Sequence, residues 1–235
     1  MRNTLFVKSI FRAIDGEVNG FRGAGQLTTF LRLAGCNLRC TYCDTKYALQ
    51  QCDGKETAIA VLVDKLRRSP KITITGGEPF EQIIGVVSLI KQLGIGIYPK
   101  QMISIETNGS YAVPSEIANN PNVRIVMDYK MPSSGMEHRM SIQNFLILRK
   151  EDVVKFVLSS EDEYTYMKTL LDCQFHMMKA QIAVSPALSD EDYVELSKYT
   201  WAAQLAELLI EDEMWDIQYS LQIHKVLWPN AIEER

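Results

Sequence analysis

Three cysteines stand in the run Cys36-Asn37-Leu38-Arg39-Cys40-Thr41-Tyr42-Cys43-Asp44-Thr45. Thiolates this close together can converge on one iron–sulfur cube, and any fold adopted by the chain has to present that loop. A cubane ordinarily takes four cysteines and a structural zinc site closes with four ligands, so three leave one metal corner open for chemistry. A zinc site completed by a distant His or Cys is the competing reading of the spacing. Cys52, in a polar turn, and Cys173, at the end of a helical pattern, do not extend the ligand series. Five cysteines are an odd number, and no amino-terminal apolar run preceded by basic residues suggests export. Both extra thiols read as bystanders in a reducing cytoplasm.

Around this loop the pattern alternates between strands and helices. Strands are expected over 27–33, 71–75, 102–106, 123–127, 153–158 and 181–185, where β-branched and apolar residues gather. Ile59, Leu62, Val63 and Leu66 repeat at helical spacing, as do Ile83, Ile84, Val87 and Ile90, the second set ending at Gly94. Such alternation predicts an α/β fold of parallel strands joined by right-handed crossovers. No repeat, low-complexity tract or linker divides the 235 residues, so residues 1–235 read as one domain. A closed eightfold barrel needs about 250 residues, so the barrel is expected to be an incomplete, TIM-like one with its helices outside.

Composition narrows the partners. With 46% hydrophobic residues the chain can bury a full core, yet no apolar stretch is long enough to span a membrane. The formal charge is −4, and no Lys/Arg stripe with interleaved aromatics supports nucleic-acid binding. A cytoplasmic enzyme with a small substrate is the expectation. Ser160-Glu161-Asp162-Glu163 and Ser189-Asp190-Glu191-Asp192 read as capping boxes, and Glu211-Asp212-Glu213 as solvated surface.

Thr75-Gly76-Gly77-Glu78-Pro79 falls where a strand gives way to a helix. Glycine permits close backbone approach, and proline suits a first helical position. Following a three-cysteine loop, the segment resembles the Gly-Gly-Glu-Pro segment of radical S-adenosylmethionine enzymes, which lies against the cofactor's methionine amino group. Further segments narrow the resemblance: Ala13-Ile14-Asp15-Gly16-Glu17, Arg32, Asp44-Thr45, Ile105-Glu106-Thr107-Asn108-Gly109 and His224-Lys225-Val226-Leu227-Trp228-Pro229. Together they are similar to the 7-carboxy-7-deazaguanine synthase family over nearly the whole chain.

The resemblance implies a radical S-adenosylmethionine core converting 6-carboxy-5,6,7,8-tetrahydropterin to 7-carboxy-7-deazaguanine with loss of ammonia, on the route to queuosine and related deazapurines. It also implies a 4Fe-4S cluster, S-adenosylmethionine, magnesium, a homodimer and electrons from flavodoxin or ferredoxin. Carried over by residue, it puts the cluster on Cys36, Cys40 and Cys43, and magnesium on Thr45. The sulfonium cofactor falls to Tyr42, Cys43, Asp44 and Gly77, with Asp128, Tyr129, Lys130 and Ser185, Pro186, Ala187, Leu188 at later strand ends. Ile14, Asp15, Gly16, Thr75 and Pro229 would line the pterin. Arg32 would take its carboxylate, because guanidinium offers a fixed donor fork. Glu106 would bond the pterin or the cofactor ribose, or orient its own loop.

Two segments depart from the family pattern: Asp15-Gly16-Glu17-Val18 stands for Gln-Gly-Glu-Gly, and Asp128-Tyr129-Lys130 for Ser-Pro-Lys. A glycyl-radical activase shares the cysteine spacing but does not need Arg32, Asp44-Thr45 or Pro229. A non-catalytic zinc-binding or iron-sensing module leaves the Gly-Gly-Glu-Pro segment unexplained.

Overall fold

The computed structural model describes residues 3–21, 23–94, 101–194 and 201–228. A long first strand β1 (Thr4–Asp15) pairs antiparallel with β2 (Gln26–Leu33) on one side and β3 (Lys55–Ala58) on the other. From β2 a parallel series follows: β4 (Lys71–Gly76), β5 (Met102–Thr107), β6 (Val123–Tyr129), β7 (Val153–Leu158), β8 (Gln181–Pro186) and β9 (Ile217–Tyr219). The sheet runs β3-β1-β2-β4-β5-β6-β7-β8-β9 and does not close on itself among the described residues. This is the incomplete barrel that chain length implied.

Helices α1 (Ile59–Leu66), α2 (Ile83–Leu93), α3 (Ser115–Ala118), α4 (Ile142–Leu146), α5 (Glu161–Cys173), α6 (Asp190–Val194), α7 (Trp201–Glu211) and α8 (Ile223–Leu227) alternate with these strands. The longer ones bury their apolar stripe on the sheet, Ile59, Leu62 and Leu66 from α1, and Val86, Leu89, Ile90 and Leu93 from α2. They meet Ile72, Ile74, Ile103, Ile105, Val154 and Phe156, all buried in one core. None of the described helices is long and apolar enough to cross a membrane.

Sequence periodicity missed β1, β3 and β9. A register shift between Val7 and Ser9 interrupts the alternation of β1, while β3 and β9 have only four and three residues. The acidic segments differ in detail from expectation. Ser160 Oγ accepts from Glu163 N at 3.3 Å, but the Glu163 carboxylate does not complete the box. It turns to Ser133 N, Ser159 N and Ser159 Oγ, each at 2.8 Å, because three donors satisfy a carboxylate better than one. Ser189 and Asp192 do form both bonds, at 3.2 and 2.7 Å. Asp212 is engaged by Lys168 at 2.5 Å and the Tyr164 hydroxyl at 2.8 Å, so the Glu211–Glu213 run is partly built into the surface of α5.

The connection between β1 and β2 turns back into the barrel. Val18, almost fully buried, packs with Val126, Val153 and Ala183 on the inner face. Phe21 stacks under Arg124, and Asn19 ties the turn to Asp15 and Gly23. This plug bridges to the residues after β9: Val18 N donates to Ser220 Oγ at 3.1 Å, and Ile223 N to Gly16 O at 2.9 Å. The opening that the sheet leaves is thereby floored.

Candidate active site

The carboxyl ends of the parallel strands carry the informative segments, as open α/β sheets and barrels require. Beyond β2 the chain leaves as the cysteine loop, which returns to its base through Gly35 N to Ala48 O at 2.9 Å and Cys36 N to Leu49 O at 3.0 Å. Leu38 and Ala48 anchor it in the core. Cys36, Cys40 and Cys43 are half-buried free thiols on this loop, whereas Cys52 and Cys173 are exposed. Burial pushes the Cys36 and Cys40 thiols up.

The Gly-Gly-Glu-Pro turn after β4 is fused to that loop. Gly77 N donates to Leu33 O at 2.9 Å, and Glu78 N to Gly35 O at 2.7 Å. A Cβ on Gly77 would lie 1.9 Å from Gly35 O, and Gly76 holds φ +119°, so both positions require glycine. Glu78 is fully buried, yet its carboxylate accepts from Phe80 N at 2.8 Å, Thr107 Oγ1 at 2.8 Å and Asn108 N at 2.7 Å. Burial pushes this carboxyl up to about 7 while those donors pull it down. Asn108 in turn donates to Asn37 Oδ1 at 3.0 Å and reaches Cys36 Sγ at 3.7 Å. One buried carboxylate thus welds the ends of β4 and β5 to the first cysteine.

On the inner face runs a continuous polar chain. Lys130 pairs with Asp128 at 2.8 Å, Lys155 with Asp128 at 3.2 Å and with Glu17 at 2.5 Å. Gln222 Nε2 donates to Glu17 at 2.7 Å and to Asp44 at 3.2 Å, and Thr45 Oγ1 to Asp44 at 2.9 Å. Desolvation opposes ionisation throughout, but the two ammonium groups hold the Asp128 carboxyl below its usual range, and Lys155 does the same for Glu17. Those carboxylates raise Lys155 in return. Glu106 is reached by Thr75 Oγ1 at 2.6 Å, and among the described residues no cation forms an ion pair with it, although Lys155 acts on it from further off. Burial, with Glu17 and Asp15 nearby, pushes its carboxyl up to about 8.

The other anticipated residues fall as follows. Arg32 donates to the Tyr47 hydroxyl and lies 5.4 Å from the centres of the Phe11 and Tyr47 rings, within cation–π range. Asp15 is nearly fully buried and pairs with Lys71 at 2.9 Å, which leaves Ile14, Asp15 and Gly16 to offer backbone. Gly16 lies under His224, where an added Cβ would come within 2.3 Å of Nδ1. The Tyr129 ring packs among Phe145, Phe156 and Phe175 on the helix side, so only its backbone faces the cofactor side. Ser185 Oγ donates to Ser220 O at 2.7 Å and Ala187 N to Leu158 O at 2.7 Å, while Pro186 is buried and Leu188 packs on the core. Pro229 lies outside the described residues.

Sequence reasoning assigned no role to Lys155 or Gln222, though both sit at the centre of the polar chain. The signal for Lys155 was present: a lone ammonium inside Val153–Leu158, a strand otherwise wholly apolar. The residues also suit the groups that the loop implies. Three soft thiols on one loop match an iron–sulfur cluster. The Tyr42 hydroxyl is buried beside Lys130 and Asp128 without a hydrogen-bond partner among the described residues, as a cofactor-facing group would be. No three His, Cys, Asp or Glu side chains among the described residues gather at single-ion spacing.

Comparison with known proteins agrees with this geometry. Residues 19–113, which include the cysteine loop and the Gly-Gly-Glu-Pro turn, match the 4Fe-4S single cluster domain family. The crystal structure of QueE from Escherichia coli superposes with a TM-score of 0.69 at 20% identity, over 93% of this chain and 94% of that one, a likeness of fold. The 7-carboxy-7-deazaguanine synthase of Methanospirillum hungatei is 34% identical over 94% of this chain and 84% of its own length. That of Clostridium acetobutylicum is 35% identical over 94% of this chain and 95% of its own length. With the whole fold and both informative loops inside these matches, the chain belongs to the 7-carboxy-7-deazaguanine synthase family.

Proposed function

We propose that this chain converts 6-carboxy-5,6,7,8-tetrahydropterin to 7-carboxy-7-deazaguanine with release of ammonia, in the making of 7-deazapurines. The observation that carries the reading is the weld between the cysteine loop and the Gly-Gly-Glu-Pro turn, set above an inner face lined with ionisable side chains. The cluster and S-adenosylmethionine, when bound, supply the one-electron chemistry that starts hydrogen abstraction at C6 of the pterin. Cys36, Cys40 and Cys43 hold the cluster, and Tyr42, Asp44, Gly77, Asp128 and Lys130 hold the sulfonium cofactor, with backbone from Tyr129 and the 185–188 turn.

The chain's own share is binding, orientation and protection. Arg32 receives the substrate carboxylate with its fork of donors, already oriented by two rings. Thr75 and the Ile14–Gly16 backbone meet the polar edge of the pterin, and the plug beneath excludes water from below; Pro229 is assigned to the substrate by the family resemblance alone. Glu106 can hold a proton near neutrality and offer it to a ring nitrogen or a ribose hydroxyl. Thr45 is assigned to magnesium, which prefers oxygen donors and keeps several waters, so one hydroxyl with substrate oxygens suffices. A homodimer, a flavodoxin or ferredoxin donor, a single catalytic domain and a cytoplasmic setting complete the proposal.

An anaerobic assay of reduced, cluster-replete protein with S-adenosylmethionine and the tetrahydropterin should develop the deazaguanine chromophore. No product under those conditions would overturn the assignment.

A further inference from the structure

An electron has to enter the cluster from outside, and the surface beside the cysteine loop shows what kind of molecule can bring it. Arg39 lies between two of the cluster cysteines, is exposed, and donates to the carbonyls of Cys36 at 2.6 Å and Leu38 at 2.7 Å, which fixes its charge beside the loop. The segment after β6 packs against the same stretch. Thr41 N donates to Ser134 O at 3.1 Å, Thr41 Oγ1 to Ser133 O at 2.6 Å, and Arg39 N reaches Met136 Sδ at 3.4 Å. Past Met136 a 3-10 turn, Glu137–Arg139, leaves His138 and Arg139 exposed at that rim.

Arg139 follows Met136 by three residues on the segment that packs on the cysteine loop, and its charge acts on Tyr111. Neither Arg139 nor His138 takes part in an ion pair among the described residues. The acid of the same turn, Glu137, is occupied by the Tyr166 hydroxyl, and of the two carboxylates that act on Tyr111, Glu81 is exposed while Glu78 is fully buried and accepts from Phe80, Thr107 and Asn108. A basic rim is notable on a chain whose formal charge is −4. Complementary charge steers partners and sets their orientation, so a basic rim selects an acidic partner.

We propose that Arg39, His138 and Arg139 form the docking rim for an acidic one-electron carrier protein that reduces the cluster. The inference rests on the enzymatic reading above and adds where, and by what chemistry, the reductant is recognised. The carrier gives up one electron to the cluster and leaves oxidised by one, so no further co-reactant is needed.

The test uses the holoenzyme with an acidic bacterial flavodoxin as the probe. The dissociation constant of the parent should rise with ionic strength. In the double variant Arg139→Glu, His138→Glu it should be at least about tenfold weaker at low salt, with a shallower salt dependence. Flavodoxin-driven turnover should fall with it, while turnover driven by dithionite, which needs no docking, stays at the parental rate. Lys150→Glu reverses one positive charge in the turn that leads into the opposite, amino end of β7, as Arg139→Glu does at the rim, and should leave flavodoxin binding unchanged. Equal dissociation constants for the parent and the double variant, or an equal loss in Lys150→Glu, would overturn the rim. Absence of dithionite-driven product in the parent would instead overturn the enzymatic reading, and the binding measurement would still judge the rim.

Discussion

The two faces of the parallel strands are made from the same residues in alternation, yet they obey different rules. Toward the helices, Ile72, Ile74, Ile103, Ile105, Val154 and Phe156 are wholly or almost wholly buried in one apolar core. Toward the interior the same strands turn Lys71, Thr73, Thr75, Ser104, Glu106, Asp128 and Lys155. In a closed barrel that interior is filled by layers of branched aliphatics. Here Val126, Val153 and Ala183, capped by Val18, form one small apolar layer, and ion pairs and hydroxyls line much of the remaining inner face. The comparison teaches that stability and chemistry are separated by strand parity: the helix side holds the fold together, and the inner side is released from packing to hold ligands.

That separation can be broken in four places. Cys40→Ala should abolish turnover and strip the cluster while leaving the melting temperature nearly unchanged, because the loop contributes Leu38 and Ala48 to the core but not its cysteines. A full cluster with turnover would show the ligand assignment to be wrong. Phe156→Ala, on the helix side, removes a fully buried ring 5.5 Å from Tyr129 and should cost about 3–5 kcal/mol of stability. The enzyme that survives should keep its Michaelis constant. A changed constant at unchanged stability would contradict the division of labour.

Arg32→Lys, on the inner side, should do the reverse. It keeps the charge but loses one arm of the fork, worth roughly 1.5–3 kcal/mol, or about ten- to a hundredfold in the Michaelis constant. A fall in thermal stability with an unaltered constant would make Arg32 a structural residue. The smallest effect is expected for Glu106→Gln and concerns pH. The folded carboxyl is raised from an ordinary value near 4.5 to about 8, so between those values the native state binds a proton that the unfolded chain has released. Stability of the parent therefore declines as pH rises through that window. The amide removes this contribution and still accepts from Thr75, so melting curves from about pH 5 to about pH 8 should flatten. Identical pH profiles for both proteins would refute a raised Glu106.

How much of this was readable from sequence follows the same division. The strands from β2 to β8, apart from short β3, announced themselves because their helix-side residues are apolar and regularly spaced, and their predicted ends lie within two residues of the observed ones. The cysteine loop and the Gly-Gly-Glu-Pro turn were readable because metal ligation and backbone approach demand particular residues at fixed spacing. The inner polar chain was not. Lys155 bonds Glu17 across 138 positions, and Gln222 bonds Asp44 across 178, and no local pattern encodes a partner so distant. β1 was hidden by its register shift and by Lys8 and Arg12, which disguise its alternation.

The bonds that floor the barrel also set an order of events. Val18 reaches Ser220 across 202 positions and Glu17 reaches Gln222 across 205, among the longest loops this chain can close. Closing such loops is slow because their entropy is lost before any contact compensates it. The sheet from β2 to β8, built from neighbours in sequence, should therefore form first and leave the plug unmoored. In pulse-labelled refolding the amides of Ile74 and Val154 should gain protection before that of Val18. Simultaneous protection would mean that the floor and the sheet are one cooperative unit. If the order holds, a half-folded molecule already carries its cysteine loop above an unfloored cavity, and the moment of cluster insertion relative to plug docking becomes a point at which maturation can fail.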